Sequence, residues 1–311
     1  MESLFSPIVG EAGVRHNEPM STHTTFQIGG PADVMVFPQT TSELARVMDV
    51  CQREGLATFI LGKGSNILVS DAGIRGVVIS TEEMKRLLVT DEYVTASAGL
   101  SLINVAKATA ELGLSGLEFA SGIPGSIGGA CYMNAGAYDG EMKDVIESVT
   151  VLDTSGAVVE LSNEEMHFAY RYSLLKDLPF ICLDVCMKLH NADKREIMAK
   201  IADLTHKRSS RQPLEYPSAG STFKRPEGHY AGPLIIECGL QGYSVGGAQV
   251  STKHAGFVVN TGSATADDVA RLILHVQQTV LKQKGVRLET EVRFIGEWDS
   301  HPIYHDIMKA E

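Results

Sequence analysis

Short apolar runs and helical spacings succeed one another along the first ninety residues. Ala32–Phe37 is apolar enough to predict a strand. Thr40 and Glu43 then stand three apart, a capping-box signature, and Leu44, Val47, Met48 and Cys51 follow at helical spacing until Gly55. Ala57–Leu61 returns as a strand into Gly62-Lys63-Gly64-Ser65-Asn66, with Ile67–Val69 and Val77–Ile79 as the next strands. The pattern is a small βαβ unit with a glycine-rich turn after its second strand.

From about Asp91 to His190, strand-like runs at Val94–Ala98, Ile146–Leu152, Val158–Leu161 and Ile181–Leu189 surround a predicted helix at Leu102–Leu112. A glycine-rich crossing, Leu117–Tyr138, lies among them, and Asn191–Lys207 predicts another helix. A third block starts near Arg208. Its clearest element is Thr265–Lys284, with Thr265 as N-cap, Asp267 and Asp268 in the first turn, and Val269, Leu272, Ile273, Val276 and Val280 on one face. Lys282 and Lys284 precede the closing Gly285, and Glu289–Ile295 predicts a strand. From Gly296 no periodicity remains, which predicts a loosely attached tail.

Composition narrows the class. The 311 residues exceed one typical domain, and 44% hydrophobic with 21% charged residues suits a soluble globular protein with a real core. A net charge of −11 argues against nucleic acid as the main partner. The start lacks a basic region followed by an apolar core, and no run is long enough to span a membrane, so neither a secretory signal nor membrane insertion is expected. The odd set Cys51, Cys131, Cys182, Cys186 and Cys238 lies mostly in apolar surroundings, as reduced cytosolic thiols do. Cys182 and Cys186 share a strand face but supply only two ligands, so no metal is expected.

Three segments suggest chemistry. His206–Arg225 holds Lys207, Arg208, Arg211, Lys224 and Arg225 against the single carboxylate Glu215, a local charge reversal that reads as a polyanion seat or as a solvated loop. The other two are Gly62–Asn66 and Ser121-Gly-Ile-Pro-Gly-Ser-Ile-Gly-Gly-Ala130, whose small residues let backbone N–H groups approach a pyrophosphate. Neither fits a dinucleotide fingerprint opening a helix, and neither is a phosphate loop. Each alone reads equally as a tight turn between packed strands. A ligand clamped between them explains both.

These residues also resemble a known family. His23-Thr-Thr-Phe-Gln-Ile-Gly-Gly-Pro-Ala-Asp33, Gly62–Asn66, Ser121–Ala130, Tyr170-Arg-Tyr-Ser173, Gly220-Ser-Thr-Phe-Lys-Arg-Pro226 and Leu288-Glu-Thr-Glu-Val-Arg293 are similar, in order, to the motifs of the UDP-N-acetylenolpyruvoylglucosamine reductases. The resemblance covers about residues 17–296. It implies an α+β protein: a two-subdomain FAD-binding unit of the vanillyl-alcohol-oxidase type plus a C-terminal α+β substrate-binding domain. Boundaries are expected at 1–88, 89–207 and 208–296, with a tail at 297–311.

The resemblance further implies non-covalent FAD, NADPH as hydride donor, an enolpyruvyl nucleotide sugar as substrate, and a cytoplasmic place in peptidoglycan synthesis. FAD is expected on Gly62, Lys63, Gly64, Ser65 and Asn66, and on Ser121, Gly122, Pro124, Gly125, Ser126, Gly129 and Ala130. Arg211, Lys224 and Arg225 are the expected substrate-binding cations. Ser221 matches the family's proton donor to C2, while Arg171 and Glu291 match the pair that stabilises the intermediate at the substrate carboxylate. A serine hydroxyl can act so only if it is well positioned. No insertion follows Ser173, as in the branch without an extra tyrosine-bearing loop. His23, His254, Tyr170 and Asn260 read as packing or hydrogen-bonding residues. Two other readings stand beside this one: a related flavin oxidase, which leaves the basic stretch unexplained, and a non-catalytic nucleotide-sugar-binding module.

Overall fold

Thr40 stops the chain from leaving its strand without a cap. Its hydroxyl accepts from Glu43 N at 3.1 Å, and Glu43 Oε2 accepts from Gln39 N at 2.7 Å. The helix so opened, Thr41–Arg53, buries Leu44, Val47, Val50 and Cys51 against Phe5, Val34, Val36, Val77 and Ile79. Burial pushes the Cys51 thiol up to about 11, so it stays protonated. The computed structural model describes residues 2–309. They form two compact units: one holds the residues up to Arg15, Val34–Lys63 and Val77–Arg208, the other His16–Asp33, Gly64–Gly76 and the chain from Ser209 on.

The first unit has two cores. The one just described lies on the strand Thr58–Leu61, which pairs in parallel with Val77–Ser80. The other lies on an antiparallel five-stranded sheet ordered Val158–Ser162, Ile146–Leu152, Ile181–Lys188, Tyr93–Ser97, Leu87–Thr90. Helix Leu102–Glu111 and a second helix, Ile127–Met133, belong to that core. Buried Asp184 on the central strand accepts from Arg86 Nη2 at 2.8 Å and Ser97 Oγ at 2.6 Å. Cys131 and Cys182 meet in the same core; their contact and burial hold the Cys131 thiol well above its ordinary value.

The glycine-rich crossing differs from expectation. It contains a 3₁₀ turn, Glu118–Ala120, and the helix Ile127–Met133, which Ser126 caps by accepting from Gly129 N at 3.2 Å. Two glycines in seven residues weaken helix propensity, so tertiary context had to supply this element. The helix expected at Asn191–Lys207 runs Lys194–Arg211 instead, because His190–Asn191 pairs with Leu114–Ser115.

In the second unit, Thr265 Oγ1 accepts from Asp268 N and Asp268 Oδ2 accepts from Thr265 N, both at 3.1 Å, a closed capping box. Asp71 adds a second cap, accepting from Ala266 N at 2.9 Å and Asp267 N at 3.0 Å. The helix, Ala266–Lys284, buries Val269, Leu272, Ile273, Val276 and Val280 with Phe26, Ile28, Leu68, Leu288 and Val292, and ends at Gly285 with φ 70°. A ribbon of Ser244–Val245, Ala248–Val250 and Val258–Asn260 and a short helix, Ala231–Glu237, complete it. The strand expected from Glu289 is confined to Arg293–Ile295, parallel to Ile67–Val69. The tail is not loose: Trp298 and Ile307 are buried in this core, and His301 Nε2 lies 3.0 Å from Asp267 Oδ1. Sparse anchors escape a search for periodicity. Among the described residues, no helix is long and apolar enough to cross a membrane.

Candidate active site

In the first unit the two glycine loops touch. A Cβ on Gly62 would fall 2.3 Å from Ser126 Oγ, so only glycine allows this approach. The carboxyl half of the second loop is already engaged internally. Ile127 N donates to Leu100 O at 2.8 Å, Gly128 N to Ala98 O at 2.9 Å and Ala130 N to Ser126 O at 2.8 Å. Ser121 Oγ donates to Glu118 O at 2.8 Å. Ser121, Ser126, Gly129 and Ala130 therefore shape the loop.

Beneath the loop, buried Glu118 accepts from Ser115 Oγ at 2.5 Å and Gly116 N at 3.0 Å, with Lys200 Nζ 3.8 Å away. Burial pushes its carboxyl up, but these hydrogen bonds and the ammonium outweigh that and hold it below the ordinary range. At the front of the loop, Arg208 Cδ lies 2.8 Å from where a Cβ of Gly122 would sit. Burial lowers the Arg208 pKa, Tyr138 partly opposing, yet a guanidinium stays cationic in proteins. Gly62 thus packs directly on Ser126 and Gly122 directly on Arg208, and a half-buried cation held against a glycine-rich loop suits the diphosphate of a flavin nucleotide.

Arg171, also in the first unit, sits at the tip of a tight turn where Ala169 N donates to Tyr172 O and Tyr172 N to Ala169 O, both at 3.1 Å. Its φ is 54°, a left-handed conformation that is uncommon for a side-chain-bearing residue. Asn134, itself at φ 43° and buried, supports the turn: Nδ2 donates to Ala169 O at 3.0 Å and Glu141 Oε2 at 2.7 Å, while Oδ1 accepts from Lys143 N at 2.9 Å. Ser173 Oγ fixes the other side by donating to Tyr132 O at 2.9 Å. The Tyr170 ring lies 5.2 Å from the Arg171 guanidinium carbon.

The second unit brings Ser221 and Glu291 onto adjoining backbone. Thr222, next to Ser221, accepts through its carbonyl from Glu291 N at 2.8 Å, and Lys224 N donates to Glu289 O at 2.9 Å. Thr222 is buried and held on its other side, its N donating to Gly256 O at 2.9 Å and its hydroxyl accepting from Val258 N at 2.9 Å. Asn66 Nδ2 donates to Glu291 O at 3.0 Å, and Asn66 O accepts from Arg293 N at 3.0 Å. The last residue of the first glycine loop is thus bonded to the segment that carries Glu291.

The basic stretch is less uniform than its sequence suggests. Lys207 pairs with Asp203 at 2.6 Å, Lys224 with Glu289 at 2.9 Å, and Arg225 lies over the Tyr230 ring at 4.1 Å. Arg211 is exposed. Counting charges along the sequence missed Asp203 and Glu289, which are distant from those cations in the chain or offset by one helical turn. It also missed Lys253, whose Nζ donates to Ser209 O at 2.8 Å beside Glu215 Oε2 at 3.6 Å. His254 Nδ1 accepts from Gly256 N at 3.2 Å, and burial lowers its pKa, which favours the neutral ring. His23 pairs with Glu18 at 2.8 Å, and Asn260 bonds Phe26 O, Gly262 N and Ala264 N.

The FAD binding domain family matches residues 32–162, and the UDP-N-acetylenolpyruvoylglucosamine reductase C-terminal domain family matches residues 212–295. The chain is 49% identical over 290 residues to the UDP-N-acetylenolpyruvoylglucosamine reductase of Caldanaerobacter subterraneus subsp. tengcongensis, covering 93% of this chain and 96% of the relative. It is 48% identical over 297 residues to the enzyme of that name from Pediococcus pentosaceus, covering 96% and 99%. The crystal structure of the reductase from Thermus caldophilus superposes with a TM-score of 0.78 at 37% identity, covering 89% of this chain and 97% of that one.

Proposed function

Because the chain belongs to the UDP-N-acetylenolpyruvoylglucosamine reductase family, we propose that it reduces the enolpyruvyl group of UDP-N-acetylglucosamine enolpyruvate to the lactyl ether of UDP-N-acetylmuramate, a precursor of peptidoglycan. FAD is its cofactor. When bound, FAD would supply the redox chemistry by which hydride from NADPH reaches the vinyl carbon C3. The family resemblance assigns FAD to the two loops, Gly62–Asn66 and Ser121–Ala130, and Arg208, packed against Gly122, offers charge to its diphosphate. We place the reaction in the cytoplasm and read 1–88 and 89–207 as flavin subdomains, 208–296 as the substrate domain and 297–311 as the tail.

The residues then divide the remaining chemistry. The Ser221 hydroxyl delivers the proton to C2 of the substrate. The Arg171 guanidinium holds the substrate carboxylate, where electron density accumulates as C3 gains its hydrogen, and a preorganised cation there lowers the barrier. Glu291 acts on the same group, as the family resemblance implies. Arg211 takes the diphosphate; Lys224 and Arg225 serve it only by turning from Glu289 and Tyr230.

One observation carries this reading beyond family membership: the hydrogen bond from Glu291 N to Thr222 O joins the segments that hold donor and acid. The test is a pair of anaerobic half-reactions on purified, yellow protein. NADPH bleaches the flavin, and the enolpyruvyl nucleotide then restores the colour. Recovery of colour with oxygen but not with that nucleotide would sink the reductase reading, and protein that never binds flavin would sink it outright.

A further inference from the structure

We propose that Thr25 is a positioning residue for Ser221, hanging the turn that carries the proton donor from the first glycine loop. The proposal rests on the reductase reading and concerns a motif, His23–Asp33, to which that reading gives no task. Thr25 N donates to Gly64 O at 3.2 Å, and Thr25 Oγ1 donates to Ser218 O at 2.7 Å. One residue therefore bonds the glycine loop with its backbone and the serine turn with its side chain.

Both attachments are made from rigid positions. Gly64 has φ 58°, and a Cβ there would lie 2.1 Å from His23 O, so the loop and the motif approach as closely as backbones can. The neighbouring threonine does a different job: buried Thr24 closes its own turn, its hydroxyl donating to Ile28 O at 3.0 Å and accepting from Ile28 N at 3.3 Å. Phe26 and Ile28 anchor the segment in the core, and Asn260 Nδ2 donates to Phe26 O at 3.1 Å.

The serine turn bends at a left-handed glycine. Gly220 takes φ 77°, between Ser218–Ala219, where Ser218 bridges Val259 and Ala219 is buried, and the buried Thr222. The Ser221 hydroxyl is then set by the tethers on either side: Thr222 after it, and before it Ser218, which bridges Val259 and accepts from Thr25. Asn66 makes the matching tie to Glu291, so one loop gives both groups a common frame. A misplacement of about 1 Å can cost roughly a hundredfold in rate, which makes such a tether matter.

The experiment uses the FAD-loaded protein with T25V, which removes the hydroxyl and keeps the shape, and T25S, which keeps the hydroxyl. Bleaching by NADPH and recovery with UDP-N-acetylglucosamine enolpyruvate are followed separately by stopped flow, alongside FAD affinity by fluorescence and Tm. T25V is expected to bleach and to hold FAD within about twofold of wild type while recovery slows about tenfold, and T25S is expected to recover near the wild-type rate. Should T25V not fold, T25A replaces it in the same comparison. Unchanged recovery in T25V, equal slowing of both halves, or T25S as slow as T25V overturns the positioning role. A wild-type chain that NADPH bleaches but the nucleotide sugar does not recolour overturns the reductase reading instead, and this inference with it.

Discussion

The two units hold their chemical side chains by opposite means. In the first, Arg171 occupies a left-handed turn that a side-chain-bearing residue adopts at a cost of about 1–2 kcal/mol, offset by the buried amide of Asn134 and the hydroxyl of Ser173. In the second, Ser221 and Glu291 lie on unstrained backbone that pairs strand-fashion through Thr222 and is pinned by Thr25 and Asn66. A guanidinium reaching for a carboxylate tolerates one strained, well-buttressed position. On the proposed reading, a proton donor at Ser221 must hold its place beside Glu291, and shared backbone bonds provide that.

The sharpest way to break this contrast is Ser221→Ala. Recovery of colour with the nucleotide sugar should slow by roughly 10²–10⁴-fold, with NADPH bleaching unchanged. Equal slowing of both halves would remove Ser221 from the proton's path.

Asn134→Ala tests the buttress in the first unit. It strips an amide making three hydrogen bonds from a buried site, and an expected loss of about 2–4 kcal/mol would appear in urea unfolding. A loss under about 0.5 kcal/mol would mean the Arg171 turn stands without it.

Glu118 gives a smaller, pH-dependent effect. Its carboxyl is held low in the folded state, so its stabilisation is present above the ordinary carboxylate pKa and is lost as pH falls through the folded value. Glu118→Gln should lower Tm by a few degrees at pH 7, with the gap closing below about pH 4. A gap that widens in acid would contradict the assignment.

Smallest is Thr265→Ala, about 1 kcal/mol by loss of one cap, read from the same unfolding curves. Because Asp71 caps the same turn, a loss above about 2 kcal/mol would mean the two caps are not independent.

What the sequence could announce depended on whether local and tertiary forces agreed. Ile146–Leu152 and Ile67–Val69 came out at their expected bounds because alternation or apolar runs and burial point the same way. Thr265 was readable as a cap because its partner is three residues on. Ile127–Met133 was hidden by its glycines, and Ala231–Glu237 by Gly232 and Pro233, both tolerated only because tertiary packing or a first-turn position compensates. At the candidate site, motif order alone suggested Arg171, Ser221 and Glu291. Nothing local signals that Asn134 holds Ala169 or that Thr25 reaches Ser218, since those partners are far apart in the chain.

The cap that Asp71 places on helix Ala266–Lys284 bears on how this chain can be cut. A fragment starting at residue 209 would keep the helix but discard that carboxylate, together with Phe26, Ile28 and Leu68 from its core. Expressed alone, such a piece would be a poor cassette for domain swapping or fragment screening. Two early stretches of polypeptide would have to be grafted back first, so here a contiguous gene segment is not a foldable module.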